Sequence, residues 1–298
     1  MMTGWMMRNP TRSGVVAALL SLAVATPVAA QSGSWYEMSA RRQIVGVRAL
    51  EANIGYALGR LNVHAAPAGL LYESNLRYDS GRFEPKRSWD LSDGTGSLAL
   101  SLSGLDDNWD LDELDEFEDS DMGSLDLGLS REVPTVLSVD VGAAEVEMDL
   151  GGVALQRFTY RTAASETSIA FETPNPVRMD RLELEAGAAD FKAYRLGNAR
   201  FETVEFVGAV GDVSLDFTGE WTGSANGDIK MGLGTLNLTF PRDIGVRVVK
   251  RGILASFDSS GFDAVDGGFQ TSNWDTAESR LTLDIRAAFG DIDVYFVN

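Results

Sequence analysis

The feature that most constrains this chain is a short motif that keeps returning along it. Near the C-terminus stands GDIDVYF (Gly290–Phe296), a small residue and a polar one followed by apolar/polar alternation. The same form opens at Gly59 (GRLNVHA), Ala144 (AEVEMDL), Ala189 (ADFKAYR), Gly211 (GDVSLDF) and Gly234 (GTLNLTF). Aligning Thr167–Phe171 (TSIAF) with these gives starts at 144, 167, 189, 211 and 234, in steps of 23, 22, 22 and 23 residues. Repeats of this length bury their apolar edge only against their neighbours, and so they stack. The alternation inside each is that of a short strand with one buried face. The expected fold is therefore all-β, a β-solenoid of short strands with parallel pairing between turns.

That reading assigns side chains. Val146, Met148, Val213, Leu215, Leu236 and Leu238 should point inward, and Glu147, Asp149, Ser214, Asp216 and Asn237 outward. The recurring Gly or Ala should sit where the backbone turns between strands, since glycine tolerates positive φ. Pro174 and Pro176 belong to a corner or edge.

The chain divides accordingly. Residues 1–30 read as an export signal peptide: Arg8 and Arg12, an apolar stretch Gly14–Ala25, and Val28-Ala29-Ala30 ahead of cleavage after Ala30. The apolar stretch is short for a membrane span, and no other segment is long enough, so a periplasmic or secreted product is expected. Residues 31–45 form a lead-in or N-terminal cap, and 46–298 the solenoid, with first coils at 46–105, an acidic loop at 106–122 and the main stack at 123–298. The succession Leu71–Tyr78 then Ser97–Leu102 parallels Leu155–Tyr160 then Thr167–Phe171. A polar excursion covers Asp258–Ser279. The final strand ends two residues before the last one, so its edge should be twisted away, covered by an earlier loop, or open to pairing with a partner or to oligomerisation.

Composition narrows the chemistry. The formal net charge of −19 deepens when the leader and its arginines are removed, and such a polyanion is repelled by nucleic acid. With no cysteine, thiol catalysis, disulfides and thiolate metal sites are excluded. His64, the one histidine, follows inward-facing Leu61 and Val63 and should lie on the outer face. No Gly-x-Ser-x-Gly elbow accompanies it. Carboxylate pairs such as Asp212 with Asp216 and Asp291 with Asp293 share a strand face, but in so acidic a chain they arise freely. Ten of the sixteen residues of Asp106–Asp121 are acidic, yet their spacing fits no EF-hand loop, so no metal site or cofactor is assigned. The glycine-rich segments lack the following helix that a nucleotide site requires. Aromatics in loops can anchor a partner, which makes Trp109, Phe262, Phe269 and Trp274 the candidate partner-binding residues. Trp221 is a loop aromatic of the same kind. Asn62 and Asn237, at matching coil positions, could stack as outward ladders.

The segments LGRLNV (Leu58–Val63), PNPVRMDRLELEAGAADF (Pro174–Phe191), LGNARFETVEF (Leu196–Phe206) and LTFPRDIGVRV (Leu238–Val248) together resemble the bacterial toast-rack proteins. These are related to the LiaF-like C-terminal domain and to adhesin-type β-solenoids. The resemblance runs from about Ile44 to Asn298. It implies a right-handed, single-stranded β-solenoid outside the membrane, with a non-enzymatic role in envelope stress sensing or surface interaction. The transmembrane helices of LiaF-type regulators are absent, so membrane-embedded regulation does not carry over, and no functional residue transfers. The expected partner is an envelope protein or a surface glycan. The alternatives are a polysaccharide-active β-helix enzyme and a calcium-dependent adhesin built on Asp106–Asp121.

Overall fold

The computed structural model describes residues 34–105, 123–188, 190–251 and 254–298. The expected leader, Trp109 and the acidic stretch 106–122 lie outside the described residues. In chain order the strands are β1 (Trp35–Gln43), β2 (Ala49–Ala65), β3 (Leu70–Asp79), β4 (Phe83–Ser92), β5 (Thr95–Gly104) and β6 (Ser124–Leu129). Next come β7 (Thr135–Asp149), β8 (Leu155–Thr162), β9 (Glu166–Ala170), β10 (Met179–Ala188), β11 (Phe191–Tyr194) and β12 (Phe201–Asp216). The last are β13 (Ala225–Pro241), β14 (Gly245–Arg251), β15 (Leu254–Ala255), β16 (Asp263–Val265), β17 (Gly268–Gln270) and β18 (Arg280–Val297). One 3-10 turn, Leu196–Ala199, is the only helical element among the described residues.

The middle of the molecule follows the repeat. β7 pairs in parallel with β8 along its first half and β9 along its second, and β12 pairs likewise with β10 and β11. Since β8 pairs with β10 and β9 with β11, the strands β7, β8, β10, β12, β11 and β9 close a ring of parallel strands. The two halves face each other across the core: the ring of Phe191 (β11) lies 6.1 Å from Tyr160 (β8) and 5.2 Å from Phe206 (β12). Val146, Met148, Val213, Leu215, Leu236 and Leu238 are buried, as alternation requires, and their polar neighbours face out.

Gly211, Gly234 and Gly290 stand side by side, as do Gly59 and Ala144. Here glycine is obligatory. Gly234 and Gly290 have φ of +136° and +120°, and a Cβ on either would overlap the carbonyl oxygen of the glycine beside it. One repeat is displaced: Thr167 pairs with Val146 and Phe191, two residues beyond the repeat start at Ala144.

Both ends depart from the expected sequential order. β2 lies between β7 and the coil made by β5 and β6, and β18 lies between β13 and the coil made by β14 and β15. The edge of the last strand is covered by earlier segments of the chain, one of the expected ways of closing it: Arg280–Arg286 pairs with β14, and Ser256 and Asp258 continue the pairing along Gly290–Ile292. The excursion after Asp258 contributes β16 and β17, an antiparallel hairpin that extends the sheet beyond β14. At the other end β3 and β4 run antiparallel to β6 and β5. Leu71–Tyr78 thus does not play the part of Leu155–Tyr160, which pairs in parallel. The lead-in becomes strand β1, whose Met38 and Ala40 pack against the core. Its Arg41 bonds Glu73 at 2.9 Å and its Arg42 lies 4.1 Å over the Trp89 ring. Edge strand β4 carries Pro85, Lys86 and Arg87, residue types that discourage further strand addition.

The turns that return the chain to the next coil hold buried amides. Asn175 donates from Nδ2 to the Leu155 and Ala199 carbonyls and accepts at Oδ1 from the backbone N–H of Leu155 and Val177. Asn198 donates to the Phe171 carbonyl at 2.7 Å and accepts from the Glu220 N–H at 2.7 Å. Each fills most of its bonding capacity, which is what a buried amide needs.

Candidate functional site

Each coil passes from its first half to its second through a corner made only of small or apolar residues. In stacking order the corners read Ala57-Leu58-Gly59, Gly142-Ala143-Ala144, Ala163-Ala164-Ser165, Gly187-Ala188, Ala209-Val210-Gly211, Gly232-Leu233-Gly234 and Ala288-Phe289-Gly290. The first position alternates Ala and Gly because the chains crowd there. A Cβ on Gly142, Gly187 or Gly232 would strike the carbonyl oxygen of Ala57, Ala163 or Ala209. Where a glycine is missing, at Ser165, hydroxyls replace it: Ser165 Oγ accepts from the Ala144 N–H and from Thr162 Oγ1 at 2.6 Å. Beside them the buried Tyr160 hydroxyl bonds Thr167 Oγ1, and burial raises its pKa against these hydroxyl contacts.

This edge changes character along the stack. At β7, β8 and β10 the corner residues are the small Ala143, Ala164 and Ala188, and the outer face on the first-half side of them sinks into a groove of about 750 Å³. Its walls include Ala57, Ser101, Ser103, Asp140, Gly142, Arg161, Ala163, Glu185 and Gly187. Toward β18 the corner residues are large and form a ridge. Val210, Leu233 and Phe289 are aligned by pairing and exposed by 51%, 52% and 52%.

The flanks differ in charge. On the first-half side, acids and bases alternate: Arg161 reaches Asp140 at 3.5 Å and Glu185 at 3.4 Å, Lys230 bonds Glu205 at 2.7 Å, and Arg286 meets Asp284 at 3.2 Å. The Lys230 hydrogen bond, outweighing some burial, holds the Glu205 carboxyl below its ordinary pKa. On the second-half side, Glu145, Glu166, Asp212 and Asp291 border the corner, with Arg60 on Glu145 at 2.8 Å. In the groove one guanidinium, that of Arg161, lies between both carboxylates.

The residues singled out from sequence fall elsewhere. Phe262 and Phe269 join an aromatic cluster with Phe257, Phe240 and Phe296, and Phe262 packs against the core. Trp274 lies against two guanidinium groups, Arg247 at 4.4 Å and Arg280 at 5.9 Å. Trp221 tucks onto the core and donates to the Phe217 carbonyl. His64 is on the outer face but half-buried, 3.1 Å from the Asp126 carboxylate and 3.1 Å from the Ala65 carbonyl. Burial alone would lower its pKa, but these two acceptors raise it. Asn62 bonds Asp126 rather than stacking as a ladder, and the laddered amides are instead Asn175 and Asn198. Asp216 caps the turn at Thr218, and Asp291 accepts from Ser256 Oγ. Among the described residues no group of three or more His, Asp and Glu could hold a metal ion, and no helix is long and apolar enough to cross a membrane. The corner edge itself was missed by sequence reading, although its trace was present: an apolar residue flanked by Gly or Ala directly before each polar–apolar alternation.

The described residues form an all-β fold in which β7, β8, β10, β12, β11 and β9 close a ring of parallel strands, with further strands added on both sides. The chain belongs to the toast-rack family: the family model for the N-terminal domain of toast_rack, DUF2154, matches residues 30–180. No curated protein is significantly similar to it. Among solved structures it is similar to the "putative cell adhesion protein" of Clostridium sporogenes, with 16% identity, a TM-score of 0.47, and 88% of this chain and 100% of that one covered. It is also similar to the "putative adhesin" of Bacteroides fragilis (10%, TM-score 0.35, 87% and 97% covered). A third is the "putative lipid binding protein" of Parabacteroides distasonis (10%, TM-score 0.30, 90% and 98% covered). No ligand or partner of this chain follows from these likenesses.

Proposed function

We propose that this protein is an exported, non-enzymatic interaction module of the bacterial envelope that engages an envelope protein or a surface glycan along its corner edge. The observation that carries this is the row Val210, Leu233 and Phe289, which pairing sets side by side on neighbouring strands with each side chain about half exposed. Apolar side chains kept together in water mark a surface that is covered in use. Export rests on the leader pattern of residues 1–30, which places the module in the periplasm or outside the cell. Its coils wind right-handedly, the hand that parallel crossovers take in nearly all proteins. A part in envelope stress sensing is the regulatory form of the same role.

Binding of the purified protein to envelope extracts and glycan arrays tests this, beside Leu233→Asp and Phe289→Asp variants that melt normally. Binding that both variants lose supports it. Binding indifferent to both, or release of cleavage products from envelope glycans, overturns it.

A further inference from the structure

Two residues after each corner residue the chain turns one side chain outward on the second-half flank, and at nearly every coil it is an acid. Ala143, Ala164, Ala188 and Val210 are followed by Glu145, Glu166, Asp190 and Asp212. Glu145 pairs with Glu166, and Asp190 and Asp212 stand level with them, each directly ahead of the paired Thr167, Phe191 and Val213. Four exposed carboxylates thus occupy four neighbouring strands, about 4.7–4.9 Å apart. Thr235 and Asp291 continue the row. Like charges set opposite each other on neighbouring strands weaken a sheet, so the row is a cost to the fold.

The flank on the other side of the ridge is different. There the charges are answered within the molecule: Lys230 by Glu205 at 2.7 Å, Arg286 by Asp228 at 3.4 Å and Asp284 at 3.2 Å. On the second-half flank Glu145 has Arg60 at 2.8 Å and Asp291 accepts from Ser256 Oγ. Among the described residues no cation bonds Glu166, Asp190 or Asp212. One row further from the corner, Lys192 stands between Glu147 and Asp293 in the stack, so acids outnumber bases there as well. The edge is therefore amphipathic, with the exposed apolar ridge of Val210, Leu233 and Phe289 beside a row of carboxylates that lack counter-charges.

We infer that this surface receives a basic amphipathic helix of an envelope protein, its apolar stripe on the ridge and its lysines or arginines on Glu166, Asp190 and Asp212. This rests on the reading of the edge as an interaction surface and names its occupant. Charge complementarity selects the cations. Spacing selects the helix: residues three and four apart on one helix face rise about 4.5–6 Å, in step with strands about 4.7–4.9 Å apart. An extended segment laid along the stack repeats a face only every ~6.6 Å and falls out of step. From Glu145 to Asp291 the row crosses six strands, roughly 24 Å, the length of about 16 helical residues. A neutral glycan would leave the carboxylates unanswered, and an anionic glycan or lipid surface would be repelled.

Fluorescence anisotropy at physiological salt, with a labelled 18-residue helical peptide of leucine and lysine on separate faces, is the test. Saturable binding is expected between about 1 and 100 μM protein. A peptide of the same composition with its faces scrambled should bind at least about tenfold more weakly. Leu233→Asp and Phe289→Asp should each weaken binding about tenfold, although each adds a negative charge that would strengthen a merely ionic attraction. Glu166→Lys with Asp212→Lys should weaken it at least about tenfold. Asp90→Lys with Asp266→Lys, an equal change in net charge on exposed acids of β4 and of the β16–β17 turn, should leave it within about twofold. Should a reversal unfold the protein, Glu166→Gln with Asp212→Asn reads the same contact. No binding, equal binding of the scrambled peptide, or equal loss from the two pairs of reversals overturns the inference. If it is overturned while Leu233→Asp still abolishes binding to an envelope protein or to a glycan array, the helix is excluded and the edge remains an interaction surface. If that binding is indifferent too, both readings fall.

Discussion

The middle coils and the end coils of this molecule are made by different rules. From β7 to β13 each coil lies on the one before it, the corners align, and the return turns are pinned by buried Asn175 and Asn198. At the ends the order breaks, and antiparallel strands β1, β3 and β4 on one side and β16 and β17 on the other complete the stack. Ring and guanidinium contacts stand in for the repeat there, as in Arg77 over Trp35 at 3.9 Å and Trp274 between its two arginines. The difference shows what each region must do. A middle coil is satisfied by copies of itself on both sides, whereas an end coil must cover open strand edges with something of another shape.

Glycine substitution should separate the two regions most sharply. Gly234→Val forces a β-branched side chain into φ +136° and onto the Gly211 carbonyl, and should cost more than about 4 kcal/mol or prevent folding. Gly267→Ala, in the end hairpin with φ +83° and open space around it, should cost about 1 kcal/mol in the same denaturant titration. Equal costs would mean that the middle corners relax, contrary to the packing described. Next in size is Asn198→Ala, which strips partners from the buried Phe171 carbonyl and Glu220 N–H and should lose about 3 kcal/mol. Asn273→Ala, whose amide reaches the Arg242 and Ile244 carbonyls in a half-buried end turn, should lose about 1 kcal/mol. Trp274→Ala should cost about 2 kcal/mol and act locally: amide exchange should quicken in β14 and β17 while β8 to β12 keep their protection. Exchange that quickens uniformly would show that the ends and the middle unfold as one unit.

The smallest effects are of pH, and they have opposite signs in the two regions. The Glu205 carboxyl in the middle is held low by Lys230, so its contribution is present above the ordinary carboxylate pKa and lost as pH falls through its lowered value. His64, near the N-terminal end, is held high, so its contribution is present below pH ~6.5 and lost as pH rises through its raised value. Both groups are partly solvated, and each effect should stay below about 1 kcal/mol. Glu205→Gln should flatten the acid limb of the stability–pH curve, and His64→Gln the neutral limb. An unchanged curve in either variant would remove that pair from the account.

The middle was largely legible in the chain. GDVSLDF and GTLNLTF place Val213 beside Leu236 inside the core, and the structure pairs them so. TSIAF lacks an initial glycine, and its alternation alone sets Thr167 level with Ala144, whereas the structure pairs Thr167 with Val146, because Ser165 and its hydroxyl partners do the work of the corner without resembling it. The ends were not legible. Leu71–Tyr78 has the alternation of a repeat strand, and alternation is the same whether a strand runs parallel or antiparallel to its neighbour. The aromatics Phe262, Phe269 and Trp274 stand among polar residues in the chain, and only the fold brings Phe262 and Phe269 onto Phe257 and sets Trp274 against Arg247 and Arg280.

What the sequence alone determined is the unit: its inward and outward faces, the glycine corners, the excess of negative charge, and the absence of thiol chemistry. Those follow from local rules, since each depends on residues within one coil. The expected short strands instead run on through the corners as β2, β7, β12, β13 and β18, of 17, 15, 16, 17 and 18 residues. What the tertiary structure decided is which coil lies beside which, where β2 and β18 insert, and which corner residues line up into a ridge beside the groove. The main-chain bonds that join coils are blind to side-chain identity, and repeats of one period fit against one another equally well. Order at the ends is therefore set by long-range packing, which no single stretch of the chain records.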